Sequence, residues 1–459
     1  MASSSSSSSN VGESSSSSSS ASSSGRPYLQ PGTRFSTSSI ISDYASSHIQ
    51  RQKRPFVTYK LKEKYEQPWL VDPRLKSRKR MNNVIIYTLS CIGLAAAAVY
   101  CWTGTRQFPK REYCIVLDDD FTSGIDPSVW NYEIRLDGYG NGHFDWTTSD
   151  STNAYTDKNG LHIVPTLTNE TTTIINDQIL NGYTLNLTTT KTCTSQQISA
   201  CGIRSNSTTG KIINPVRSAR LTTKGKRGIA FGKMEIVAKL PRGDWLWPAI
   251  WMMPTHSVYG TWPASGEIDI VESRGNNYDF PQGGRDHFGS ALHWGPYSGV
   301  NAYWRTMGQT TLKRSDFSKE FYTFGLEWTE DYIVTYVNNR IHQVMYIPFT
   351  EGGFWQRGEF IKYNATEESN PWRPAEEGGK THHVKAAPFD QEFYLLLNVA
   401  VGGTNGYFKD STLKPWVDGS GREMRDFWNA VNQWYPTWGS ADERGMTVKS
   451  VKMWQEGKC

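Results

Sequence analysis

The stretch "SGEIDIVESRG", Ser265–Gly275, sets three carboxylates within six positions: Glu267, Asp269 and Glu272. Acids crowded into one site repel, which lifts at least one pKa and lets that group carry a proton near neutrality while a neighbour stays ionised. A proton donor beside an ionised carboxylate is the apparatus of glycoside hydrolysis. The spacing, however, breaks the rule of a regular strand. Residues 267 and 269 share a face, whereas 272 would point to the other side. A β-bulge at Ile270 or Val271 would insert one extra residue and return Glu272 to the face of the other two. The apolar Ile268, Ile270 and Val271 then turn mostly into a core, which suits a strand with one wet face. Two glutamates so placed have Cα atoms more than about 13 Å apart. A retaining glycosidase needs its carboxyl groups roughly 5–5.5 Å apart, so the long Glu side chains must lean inward over the short Asp. Long, short, long is the order present.

Such a cleft needs a sheet to carry it. From about Cys114 onward the chain reads as β, in runs such as "GKMEIVAKLP", "DYIVTYVNNRIHQVMY" and "EFYLLLNVAVGG" bounded by Gly, Pro or Asn/Asp turns. "VNNR", Val337–Arg340, is a two-Asn hairpin signal. Glu423–Trp434 is the best helical stretch and predicts a short helix at most. Roughly 350 residues of short strands predict one large sandwich and not several modules.

The rest of the 459 residues read differently. The net charge is +5, but residues 1–83 hold thirteen Lys/Arg against five Asp/Glu, so the basicity belongs to a tail. Nothing in the main body reads as a nucleic-acid surface. Two runs of seven serines, Ser3–Ser9 and Ser14–Ser20, open a segment too poor in apolar residues to offset the entropy of ordering it. Val84–Trp102 then runs nineteen residues without a charge, the helical length of a bilayer core. Five basic residues from Arg74 to Arg80 precede it, which predicts a cytoplasmic N-terminus. The sequons at Asn169, Asn186, Asn206 and Asn364 all follow it. The domain plan is therefore a disordered cytoplasmic tail (1–82), a transmembrane signal anchor (83–103), and a catalytic domain in the secretory lumen or at the cell surface (104–459). Outside the apolar run stand Cys114, Cys193, Cys201 and Cys459, an even number in an oxidising compartment. Cys193 and Cys201 flank a short loop and suit a local bridge; Cys114 and Cys459 bracket the domain. Four cysteines allow three pairings. No oligomeric state follows from the sequence.

With its flanks, "KMEIVAKLPRGDWLWPAIWMMP…YGTWPASGEIDIVESRGN…ALHWGP" resembles the laminarinase-like, bulged E-x-D-x-x-E branch of glycoside hydrolase family 16, which includes β-glucan recognition proteins. The likeness runs from about Leu117 to Val451. It implies an all-β jelly roll of two curved antiparallel sheets with a concave substrate cleft, and first and last strands side by side, where Cys114 and Cys459 would meet. It also implies Glu267 as nucleophile, Glu272 as acid/base, and Asp269 as the carboxylate tuning the nucleophile. Trp262 matches a platform position for a sugar ring. Trp247 is the next aromatic candidate, while Trp251 suits core or cleft equally. His293 and Trp294 fall near the leaving-group side; Arg274 and Asn141 complete the substrate-binding candidates. No metal or organic cofactor is required. Some members hold a structural calcium through an acid in the last strand, where Lys449 and Ser450 stand here. Joined to an anchor, the domain resembles membrane-bound fungal enzymes of cell-wall β-glucan. Three functions stay open: an endo-acting retaining β-1,3- or mixed-linkage glucan hydrolase, a transglycosylase with the same intermediate, or a non-catalytic glucan-binding protein.

Overall fold

A computed structural model describes residue 63 and residues 66–106, 111–373 and 385–459. The Ser runs lie outside the described residues. The described residues up to Cys101 and those from Trp102 onward fall into two units.

Helix α1, Pro73–Arg106, starts ten residues before the anchor the sequence predicts. Proline is tolerated in a first turn, where its missing N–H has no intrahelical partner. The Lys/Arg residues that follow are good helix formers, so the helix runs through the basic flank. The segment Pro73–Gly104 is long and apolar enough to cross a membrane.

The second unit is a β sandwich of the jelly-roll kind. One seven-stranded sheet carries the acids. Its strands are β1 (Asn131–Tyr132), β2 (Arg220–Thr222), β3 (Leu246–Pro254), β4 (Glu267–Ser273), β5 (His287–His293), β6 (Met307–Thr311) and β7 (Phe393–Val401). They lie in the order β6-β5-β4-β3-β7-β2-β1, antiparallel throughout. The acid strand β4 is therefore interior to the sheet, and neighbours fix it on both sides. The run "FYLLLNVAV" of β7 is buried along its whole length.

The opposing eight-stranded sheet includes Gly232–Lys239, Tyr322–Trp328 and Met446–Glu456. Gly232–Lys239 alternates buried and half-buried residues, as its sequence "GKMEIVAK" requires of a strand with one wet face. Aromatic rings join the two layers. Phe288 of β5 meets Phe324 at 5.3 Å, and Phe393 of β7 meets Trp328 at 5.4 Å, both edge-to-face. Burying a ring such as Phe324 stabilises by roughly 1.5–3 kcal/mol.

The first strand, Tyr113–Asp119, pairs with the last, Met446–Glu456, and a disulfide joins Cys114 to Cys459. Cys193 and Cys201 form the local bridge. Two expectations need correction. The hairpin at "VNNR" is not a two-residue turn. Its strands end at Val337 and resume at Gln343, and only Asn338 of the two asparagines takes a left-handed φ, of 64°. The predicted single helix is two, Glu423–Asn429 and Val431–Trp434. On the last strand Lys449 is exposed and Ser450 half-buried, so neither offers an anionic ligand for calcium.

Candidate active site

Strand β4 is launched by Gly266, whose φ of 83° turns the chain where a side chain would press on Phe389. Glu267 then opens the strand. The bulge lies where the spacing requires it. Against β5, Asp269 pairs with Ala291 and Glu272 with Gly289, so Ile270 and Val271 together oppose Ser290. Against β3, Trp251 pairs with Asp269 and Ile250 with Val271, which leaves Ile270 as the extra residue. A bulge strands backbone groups, and a buried orphan carbonyl is costly. The Ser290 hydroxyl donates to the Ile270 carbonyl at 2.7 Å, and the Thr335 hydroxyl of the opposing sheet donates to Ser290 at 2.8 Å. Nothing in the local pattern around Ser290 marks it for this task; only the register does.

The three acids line one cleft with Asn141, His143, Arg220, Trp247, Trp251 and Asn398. Each glutamate has its own indole donor. Trp262 Nε1 donates to Glu267 Oε2 at 2.7 Å, and Trp247 Nε1 to Glu272 Oε1 at 2.9 Å. Asp269, between them, is 2% exposed and lies 3.1 Å from His293 Nε2, which is also 4.0 Å from Glu267 Oε1. Burial and then the Glu267 charge raise the Asp269 pKa well above the ordinary carboxylate range, against the pull of His293. Burial raises Glu272 too, again opposed by His293. The site thus holds a carboxyl group prepared to keep a proton beside a second carboxylate that is half-exposed to the cleft. The nearest side-chain oxygen and nitrogen atoms of Glu267, Asp269 and His293 all lie within 4.8 Å of one another.

Of the binding candidates, Trp262 is 40% exposed beside Glu267, free to offer a ring face. Asn141 lies in the cleft, its side-chain oxygen accepting from Asn405 at 3.1 Å. His293 borders the acids directly. Three candidates are corrected. Trp294 is fully buried, packed edge-on against Phe354 and Phe360, with its indole N–H on Thr306; it points into the core because it follows His293 on the same strand end. Trp247 is 5% exposed and its face is covered by Tyr407, stacked at 3.8 Å, so it serves as a donor to Glu272 and not as a sugar platform. Arg274 spends its N–H groups on the carbonyls of Gln282 and Tyr407 and lies over the Tyr407 ring at 3.9 Å; it offsets the acids from outside the cleft.

Sequence reasoning missed His143, Arg220 and Asn398. Trp251, left open, belongs to the cleft, its indole N–H on Asn398 Oδ1 at 2.8 Å and Arg220 above its ring. His143 is buried with Nε2 unpartnered, and burial lowers its pKa to about 3. Only its place in the Gly-rich "GYGNGH" beside Asn141 hinted at it. The four sequon asparagines are all exposed.

The Glycosyl hydrolases family 16 model matches residues 143–362. The Beta-1,3-glucan-binding protein of Penaeus monodon is 38% identical over 383 residues, spanning 81% of this chain and 96% of that protein. The Glucan endo-1,3-beta-glucosidase A1 of Niallia circulans is 35% identical over 186 residues, 40% of this chain and 22% of its own length. Among solved structures, the catalytic domain of the endo-1,3-beta-glucanase (laminarinase) from Thermotoga petrophila RKU-1 aligns with 76% of this chain and 100% of its own, at 22% identity and a TM-score of 0.45.

Proposed function

The chain belongs to glycosyl hydrolases family 16, and from that membership we propose that it is an endo-acting, retaining hydrolase of β-1,3- or mixed β-1,3/1,4-glucan. The observation that carries this reading is the bulge at Ile270, which sets Glu267, Asp269 and Glu272 on one wet face with unlike surroundings. Glu272, whose pKa burial raises, gives its proton to the leaving glycosidic oxygen as Glu267 attacks the anomeric carbon. The glycosidic bond breaks and a glycosyl ester forms on Glu267. Glu272, now a carboxylate, takes a proton from water; that oxygen displaces Glu267 and leaves a product of the original configuration. If the O–H belongs to a second sugar, the same step is transglycosylation. Asp269, between the two glutamates, orients and tunes Glu267, and Trp262 is the platform for the sugar ring. The reaction needs no metal or organic cofactor.

A second reading, glucan binding without cleavage, is favoured by the name of the Penaeus monodon relative. The full chain in detergent, given linear β-1,3-, mixed-linkage and β-1,6-glucans, separates the two. Short oligosaccharides released from the first two support the hydrolase, and products longer than an added acceptor indicate transfer. Binding to glucan with no new reducing ends would establish the binding reading instead.

The placement that fits these parts is a single-pass type II one. The tail is cytoplasmic, α1 is the anchor, and the glucan-acting unit faces the secretory lumen or cell surface, where tethering suits remodelling of nearby cell-wall glucan over digestion at a distance. The exposed asparagines of the four sequons are its glycosylation sites, and each precedes the sequon Thr by two residues.

A further inference from the structure

His293 sits under two opposed influences. Burial disfavours a charge on its ring, while from β4 Glu267, Asp269 and Glu272 draw a proton onto it and raise its pKa to about 10. Tyr303 stacks on it at 5.1 Å and Trp262 lies 5.9 Å away, and neither ring carries charge. On its far side stands Asn301, with Nδ2 2.7 Å from His293 Nδ1. The orientation of that amide is decided by its other end. Asn301 Oδ1 faces two backbone N–H groups, of Trp294 and Tyr303, each at 3.3 Å. Rotating the amide by half a turn would set its NH2 against two donors. The NH2 therefore points at Nδ1, and a ring nitrogen receiving an N–H has no room for a proton of its own.

We propose that Asn301 is a positioning residue that holds His293 as the neutral ring, with its one proton on Nε2. The hydrogen-bond geometry then prevails over the attraction of the carboxylates. The consequence for catalysis rests on the hydrolase reading above. A positive imidazolium beside the acids would favour the ionised form of Glu272, so a neutral ring keeps that carboxyl group protonated for its first task. A second copy of the donor role would serve no purpose here; what Asn301 supplies is the exclusion of a charge.

The test is spectroscopic first, so that it does not depend on turnover. The full chain, labelled with 15N-histidine in detergent micelles, contains nine histidines, and the His293 signals are those lost in His293→Gln. At pH 7 the expected pattern is one unprotonated nitrogen at Nδ1 and one N–H at Nε2. A proton on Nδ1, alone or with a second on Nε2, would overturn the proposal. Asn301→Asp keeps an oxygen for the Trp294 and Tyr303 N–H groups and places an acceptor at Nδ1, so the loop retains its bonds while the ring should gain a proton there; an unaltered tautomer would equally refute the assignment. Asn301→Ala removes the block without adding charge. Its alkaline limb in kcat/KM should move to lower pH by about one unit, and an unmoved limb would overturn the positioning role. Absence of any glucan cleavage, with the expected nitrogen signals in place, would count against the hydrolase reading alone.

Discussion

At the residue scale the two glutamates are chemically alike and differ only in surroundings, so their roles separate by stereochemistry. In Glu272→Ala the nucleophile survives. With a substrate whose leaving group needs no proton, the glycosyl-enzyme should still form, and added azide should release the β-glycosyl azide. In Glu267→Ala azide attacks from the face the nucleophile has vacated and should yield the α product. The same anomer from both variants, read by proton NMR, would show the roles to be misassigned. Asp269 offers a second test through stability. Its folded pKa is raised, so its contribution is fully present below the ordinary carboxylate value near 3.8 and is lost as pH rises through the folded value. At neutral and alkaline pH it costs stability. Asp269→Asn should therefore lower activity yet raise Tm, with a larger gain at pH 8 than at pH 5 by differential scanning calorimetry. His143 has the opposite sign. Its pKa falls to about 3, so its contribution stands above about pH 6.5 and is lost on acidification. The variant His143→Gln should show a flatter fall of Tm between pH 6.5 and 4. The acid triplet was legible because its flanks, from "KMEIVAKLP" to "ALHWGP", resemble the family in which such a triplet is catalytic. His143 was not, because one histidine in a glycine loop carries no periodicity.

At the scale of elements the bulge is the decisive feature. It was inferred from a single misplaced acid, and the register confirms it at Ile270. What the spacing did not reveal is its support. Ser290 on β5 and Thr335 on the opposing sheet satisfy the carbonyl that the extra residue frees. Ser290→Ala should leave that carbonyl unpaired and cost about 1–3 kcal/mol in urea unfolding. It should also lower kcat with the product anomer unchanged, since Glu272 is displaced but not removed. Wild-type stability in this variant would mean that the bulge holds without the relay. The neighbouring strands also explain the errors over tryptophan. Trp247 and Trp294 share the aromatic character of Trp262, but strand alternation sends Trp294 into the core and the Tyr407 stack covers the ring face of Trp247.

At the scale of the whole molecule the two disulfides close loops of very different length. Cys114 and Cys459 are 345 residues apart, Cys193 and Cys201 only 8. Loop entropy predicts stabilisation of about 6 kcal/mol for the first and about 2.5 kcal/mol for the second, as upper values. Cys459→Ser should therefore lower unfolding free energy more than Cys193→Ser, and equal losses would exclude the entropic account. The topology has its own check. Protease added to sealed microsomes should trim only the Ser-rich tail, while endoglycosidase should reduce the size of the protected remainder. A fully protected tail would reverse the proposed orientation.

Sequence alone was sufficient for whatever depends on local pattern. The β character after Cys114, an apolar stretch of membrane length, the acid triplet and the need for a bulge all follow from periodicity, charge and length, which act over a few residues. Tertiary structure decided the rest. Which tryptophan meets solvent, why Arg274 faces away from the cleft, which serine supports the bulge, and how Asn301 constrains His293 each depend on groups brought together from different strands and loops. Such contacts are set by register and packing between elements, and no window of sequence contains both partners' orientations.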